Sequence, residues 1–357
     1  MKIDFEYICG WNRFLMDLAG FWPKPRSNFI SKHWALINAA MVLIVIIIPR
    51  FAAMFLFWNE VDAVVQSFST QLVFIVVFFK LMVLHFGNEV LVDLLGTMEN
   101  DLSTELTEKQ YTLVFKTAKM ARTISMFIGI GTICVVITGI VSLKLYHLDS
   151  FYIKNPDSRL STNFFFVAYL PFNTTSIVIY TTILSIQFYV SVISTGIHLI
   201  LDSFVVMLIL HICGQLQVIH ETLTHLVKDI FGLEKENFKI AYQAVLIKHQ
   251  SVCRFTRSLD ELFNFTWFLE LLNCTLTLCF QVYTVQKSAE VGFAYYRSKW
   301  YTLFPSDARS LMMIGHQGLR PLTLTSWKFS ILSQRLFLQV MKASFSYLSM
   351  LLVITDS

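Results

Sequence analysis

Six stretches of this chain are each long and apolar enough to cross the hydrocarbon of a bilayer, a crossing that takes about 20 residues of helix. They run about 34–57, 66–86, 124–145, 173–213, 263–285 and 336–354. Composition excludes burying them all in a soluble core. Hydrophobic residues make up 55% of the 357 positions, charged residues only 15%, and there are 33 Phe, whereas a soluble protein carries about 25% charged residues. So few charges cannot cover a water-facing surface. The expected fold is therefore all-α, a polytopic membrane helix bundle forming one transmembrane domain over 1–357. The opening MKIDFEYICGWNRF has scattered charges and no long apolar region, so the first span is expected to serve as the insertion signal.

The fourth run has two readings. About 40 residues of helix would measure about 60 Å, twice the hydrocarbon thickness. The run can be two spans with a turn at Ser194-Thr195-Gly196, or one tall helix continuing into the cytosol. No Pro or paired Gly marks a turn, which favours one helix. Charge supports the same choice. Lys2, Arg13, Lys24, Arg26 and Lys32 precede the first span, and Lys228, Lys235, Lys239, Lys248, Arg254 and Arg257 follow the fourth. Basic residues favour the cytoplasmic side, so both segments are expected inside and the N-terminus is cytoplasmic. Cytoplasmic segments are expected at about 214–262 and 290–335. After the fifth span the parity breaks, because 286–335 again carries many basic residues where the chain is expected outside.

The polar residues give no catalytic pattern. His220 and His225 flank Glu221, but five residues of helix turn the second His about 140° from the first, so no zinc-binding face forms. His198 and Asp202 are spaced to pair within the fourth run, a packing role. No phosphate-binding loop, nucleophile elbow or dinucleotide fingerprint is present. No enzyme activity, cofactor or metal is expected, and no basic run interleaved with aromatics suggests nucleic acid. Cys134, Cys213, Cys274 and Cys279 lie in or beside apolar runs and read as small buried hydrophobes. Gly129, Gly131 and Gly139 would permit close helix packing in the third span. Asn173-Thr174-Thr175 is a glycosylation acceptor on the expected outer side.

Four stretches carry a family resemblance. Lys248-His249-Gln250, Phe255 and Leu259-Asp260-Glu261-Leu262-Phe263 lead into the fifth span. Tyr295-Tyr296-Arg297-Ser298-Lys299-Trp300-Tyr301 resembles A-x-Y-x-S-x-W-Y. Leu319-Arg320-Pro321-Leu322-Thr323-Leu324 resembles Q-R-P-L-x-L, and Lys342-Ala343-Ser344-Phe345-Ser346-Tyr347 resembles K-x-S-x-S-Y near the end. Leu170-Pro171-Phe172 before the fourth span, with Gln187 inside it, fits too. In this order the motifs resemble those of the insect odorant receptors over nearly the whole chain. Gustatory receptors, the nearest confusable relatives, usually carry a Gln-Phe pair in the last helix, which Ser346-Tyr347 through Val353-Ile354 lacks.

The resemblance implies seven helices, a cytoplasmic N-terminus and a heterotetrameric, ligand-gated, non-selective cation channel built with a co-receptor subunit. It implies a plasma-membrane protein of sensory-neuron dendrites whose partners are small volatile odorants, the co-receptor and membrane lipid. The expected ligand residues are Phe74, Phe78 and Phe79 in the second span, Thr138 in the third, and Tyr180, Leu184, Gln187 and Phe188 in the fourth. The expected pore residues are Tyr347, Met350 and Val353, with Met350 as a gate that closes by dewetting. One departure stands out. The resemblance implies a sixth helix between the fifth span and the tyrosine-rich motif, yet Val285-Gln286-Lys287 runs almost directly into Ser288. The shortfall is about 40 residues, one span with its connections. A truncated, non-conducting subunit is therefore the alternative, and a gustatory receptor the alternative within the class.

Overall fold

A computed structural model describes residues 2–24, 29–56, 61–149, 160–161, 166, 168–171, 176–228 and 235–297, with scattered positions from Tyr301 onward. The chain divides into two units. The first holds Met1–Leu56 and Gln71–Leu269, the second Phe57–Thr70 and Glu270–Ser357.

The first unit opens with α1, Phe5–Leu18. Asp4 caps it by accepting from the Glu6 N–H. Gly20 ends it with φ +78, a left-handed conformation that glycine takes without a Cβ penalty. The Phe21 N–H then returns to the Met16 carbonyl at 2.7 Å and the Gly20 N–H to Asp17 at 3.0 Å. A Cβ at Gly20 would meet Trp34 Nε1 at 3.0 Å, and that indole N–H donates to the Ala19 carbonyl. The turn thus pins α1 to the start of the first span.

That span is α2 (Phe29–Met41), a π-helical stretch Val42–Ile47 and α3 (Ile48–Leu56). Pro49 explains the π stretch. It has no N–H, so the usual bond to a carbonyl four residues back cannot form. The Ile48 N–H reaches back five residues to Leu43 instead, and Gln71 Nε2 donates to the Ile47 carbonyl at 3.1 Å.

Next come α4 (Val61–Phe86) and α5 (Asn88–Ser103), which meet at a 73° bend. Gly87 occupies the bend because a Cβ there would lie 2.7 Å from the Val83 carbonyl and 2.6 Å from Leu262 Cδ2. Four acids in the 16 residues of α5 place its later turns outside the apolar layer. α6 (Glu108–Asp149) begins well before the expected third span, so that span extends beyond the membrane as helix. A short antiparallel pair, β1 (Leu160–Ser161) and β2 (Ala168–Tyr169), precedes α7.

α7 is one helix of 52 residues, Ile177–Lys228, unbroken at Ser194-Thr195-Gly196. In its N-terminal half burial follows a single narrow stripe of Tyr180, Leu184, Gln187, Val190, Ser194 and Ile197. Beyond Ile197 the buried arc widens to include Ile200, Leu201, Ser203, Phe204, Val205, Met207 and Leu208. The main core gathers these residues with Leu81, Leu84, Leu91, Met98 and Leu102. α6 and α7 form the most extensive helix pair among the described elements. Gly129 admits α1 against α6, with Leu15 Cδ1 at 3.0 Å from its Cβ position. Phe188 reaches the Gly139 position at 3.4 Å, whereas Gly131 meets nothing within 4 Å.

α8 runs from Lys235 to Arg297, 63 residues without a break through Val285–Ser288. Its part in the first unit packs Val252, Phe255, Leu259 and Phe263 into the core. In the second unit, Phe68 and Phe280 meet edge to face at 5.9 Å, Thr277 Oγ1 donates to Asn273 Oδ1 at 3.5 Å, and β3 (Thr325–Ser326) pairs antiparallel with β4 (Ser330–Ile331).

Among the described residues, Lys32–Leu56, Glu108–Gly139, Ile177–Thr224 and Lys239–Phe280 are long and apolar enough to span a membrane. The bent pair α4–α5 brings the number to five. The expected last span at 336–354 lies outside the described residues, apart from scattered positions. The cysteine reading needs correction. Cys134, Cys213, Cys274 and Cys279 are exposed on their helices, and the buried one is Cys9 on α1. In a membrane helix apolar neighbours mark the lipid face as readily as the protein core, so they do not predict burial. Burial pushes the Cys9 thiol well above its ordinary range, leaving it an inert hydrophobe.

Candidate ligand-binding site

Three polar clusters hold the helices that carry the expected ligand residues. The first joins α1, α6 and α7. Asn12 Nδ2 donates to Ser125 Oγ at 3.1 Å and lies 3.4 Å from Met207 Sδ. Ser203 Oγ donates to Asn12 Oδ1 at 2.7 Å and lies 3.1 Å from Ser125 Oγ. Asn12, Ser125 and Ser203 are all buried.

The second cluster crosses from α4 to α7. Lys80, 3% exposed at its side chain, places Nζ 2.7 Å from Asp202 Oδ1 and 3.1 Å from His198 Nδ1. Sequence spacing suggests that His198 and Asp202 could pair, and Lys80 contacts both. A charged group inside a bundle persists when it is paired in this way.

The third cluster lies at the α5–α7–α8 junction. Asp101 Oδ2 is 3.2 Å from His211 Nε2, and Asp101 Oδ1 accepts from Lys248 Nζ. His211 also meets the Phe255 ring at 5.6 Å. Residues of the Lys248–Phe263 motif thus tie α8 to α5 and α7. Burial acts to raise the Asp101 carboxyl, but the bonds and charges of His211 and Lys248 outweigh it and hold the group below its ordinary value. Because the folded value is the lower one, the stability contributed is complete above about pH 4 and is lost as the pH falls through the folded value. The melting temperature of the purified protein is expected to fall as the pH drops from about 5 toward 3. Asp101→Asn should flatten that acid limb and lower the melting temperature at neutral pH.

The expected ligand residues divide among these surroundings. Phe74 is buried in the main core, edge to face with Phe166 at 5.2 Å. The Arg50 guanidinium lies 4.5 Å from the Phe166 ring centre and 6.0 Å from that of Phe74. Phe78 meets Phe79, and Phe79 meets Phe265 of α8 at 5.0 Å. Tyr180 and Leu184 form a separate small cluster with Leu170. Thr138 is exposed, and its hydroxyl returns to the Cys134 and Val135 carbonyls of its own helix. Phe188 is half-buried.

Gln187 is 1% exposed, and its Oε1 has no hydrogen-bond partner among the described residues. It sits between Leu184 of the small cluster and Val190 of the main core. Two turns away, the Ser194 hydroxyl is buried and equally unpartnered among the described residues. A buried amide oxygen without a partner costs about 1–3 kcal/mol. The structure therefore places two such groups on the stripe of α7 that carries Tyr180 and Leu184. Sequence reading chose Gln187 and missed Ser194, Arg50 and Gln71. Each is a polar residue inside an apolar run, and that was the available signal.

Two small voids, each about 10 Å³, lie elsewhere. One is lined by Met98, Leu102, Val114 and Met207, the other by Phe21, Leu84, Ile197 and Leu201. Asn173, Tyr347, Met350 and Val353 lie outside the described residues.

These helices define a polytopic membrane helix bundle. The family model described as 7tm Odorant receptor matches residues 60–287. The chain belongs to the odorant receptor family. No curated protein matches it. Its fold is similar to that of the insect olfactory receptor OR5 from Machilis hrabei in complex with eugenol, with TM-score 0.63, 13% identity, and coverage of 99% of this chain and 100% of that one. A second structure of OR5 from Machilis hrabei matches at TM-score 0.48 and 12% identity, over 97% of this chain and 99% of that one.

Proposed function

We propose that this chain is an odorant receptor subunit that binds small, largely apolar volatile molecules in the outer half of its bundle and gates a non-selective cation channel together with a co-receptor subunit. The observation that carries the reading is Gln187, a buried amide oxygen without a partner between two apolar clusters of an odorant receptor fold. Small-molecule sites combine an apolar lining with a few polar groups that fix orientation. Tyr180, Leu184 and Phe188 supply lining from α7, and Phe74, Phe78 and Phe79 from α4. Thr138 enters only if α6 turns on binding. The similar receptor was solved with eugenol, a volatile aromatic, which is in keeping with this ligand class. The ligand shifts the channel by the difference in its affinity for the open and closed arrangements. Tyr347, Met350 and Val353 line the pore in this reading, with Met350 closing it by dewetting. The working location is the dendritic plasma membrane of a sensory neuron, and Asn173 is a glycosylation candidate on its outer face.

A second reading has its own observation. α8 continues as helix through Val285–Ser288, where the family resemblance implies another span. That favours a subunit that assembles with the co-receptor without gating. Recording from cells that express the chain with a co-receptor, under a broad volatile panel, separates the two. Odorant-evoked current, with the ranking of active odorants altered by Gln187→Leu, is expected. No current despite surface delivery sinks the channel reading and leaves the assembly reading.

A further inference from the structure

The Gln71 amide has a fixed orientation. Its Nε2 donates to the Ile47 carbonyl at 3.1 Å, so the nitrogen is committed to the π-helical stretch and cannot exchange places with the oxygen. Oε1 is then an acceptor by necessity. It is buried, the whole residue is 2% exposed, and it has no partner among the described residues. Gln71 lies one turn before Phe74 on α4, and Ile47 lies one turn before Arg50. The two contacts between these elements are therefore consecutive: amide to carbonyl, then guanidinium over the Phe74 and Phe166 rings.

We propose that Gln71 is a ligand-specificity residue and that the preferred ligands carry a hydroxyl, as alcohols or phenols, which donates to Gln71 Oε1. This rests on the reading of the bundle as a receptor for small volatile molecules. The chemistry follows from what the site offers. The amide oxygen only accepts. A hydroxyl supplies the donor it lacks. An ether or ketone of the same shape leaves Oε1 unpartnered, and an ammonium group would bring an uncompensated charge into apolar surroundings. A site built to bond a ligand hydroxyl rejects the analogue lacking it, because its own buried group is then stranded.

The test measures binding to the purified full-length chain in lipid nanodiscs, by thermal shift and competition, with matched pairs. The probes are geraniol with geranyl methyl ether and thymol with thymol methyl ether. The hydroxyl member of a pair is expected to bind roughly 5- to 30-fold tighter. Gln71→Met should bring that ratio to about twofold or less while the affinity for the ether is unchanged. Gln71→Glu keeps the preference, because the acid retains an oxygen that accepts from the ligand hydroxyl. If Gln71→Met does not fold, the wild-type ratio and Gln71→Glu decide. Equal binding of both members by the wild type, a ratio unchanged in Gln71→Met, or an equal loss for both members overturns the hydroxyl rule. Binding of no member of either pair counts against the receptor reading itself.

Discussion

Asp202→Asn lowers the stability of the purified protein by about 3 kcal/mol, read as a fall in melting temperature and in surface delivery. The reason is an asymmetry within the ion pair. The Lys80 side chain is 3% exposed and that of Asp202 44%. The Asp202 carboxylate lies at the boundary of the bundle, while the Lys80 ammonium is enclosed. Removing the acid therefore takes the nearest carboxylate from a buried cation that also meets His198 Nδ1 at 3.1 Å. Lys80→Met removes the buried charge and leaves an acid at the boundary, so it should cost about 1 kcal/mol or less. The double variant Lys80→Met with Asp202→Asn should match Lys80→Met alone. If Lys80→Met is the more damaging single change, the asymmetry argument is wrong.

Asn12→Asp is expected to have an effect of similar size, about 3 kcal/mol, and to release α1 from the bundle. The substitution keeps shape and volume. It replaces the donor that reaches Ser125 and Met207 with a second acceptor, and it buries a carboxylate at a position with 0% exposure. Asn12→Ala should cost less, about 1–3 kcal/mol, because it strands hydroxyls rather than a charge. Protease accessibility of the N-terminal helix and the melting temperature report both. Equal effects of Asp and Ala would mean that the network acts by packing alone.

How far the sequence disclosed this structure depended on the kind of signal. Apolar runs longer than a bilayer is thick have one physical solution, so α7 and the other apolar helices followed from hydropathy. The single-helix reading of α7 needed only the absence of a breaker between Asn173 and Cys213. α5 was legible in part, because Leu91, Leu94, Leu95, Met98 and Leu102 recur at helical spacing, but its direction is set by Gly87 against Leu262, a contact distant in sequence. Pro49 was visible as a helix disturbance, but the π stretch depends on where the displaced bonds find partners. The exposed cysteines show the same limit from the other side: in a bilayer, hydropathy does not separate lipid from protein neighbours. Of the site, Gln187 was legible as a polar residue among apolar ones. Gln71 carried the same mark and was passed over, because its importance lies in a nitrogen committed to Ile47, which no pattern reveals.

The narrow stripe on α7 has a mechanical consequence. From Tyr180 to Ile197 the buried positions recur at steps of three and four, close to the 3.5-residue repeat of a left-handed coil. A seam with that repeat behaves like a toothed rack. Its neighbour cannot creep along it by a fraction of an ångström, because every intermediate position forces side chains into one another. The nearest equivalent settings are about a full turn apart, roughly 5.4 Å. Rotation or tilt is therefore the movement open to this stretch of α7, and sliding is excluded.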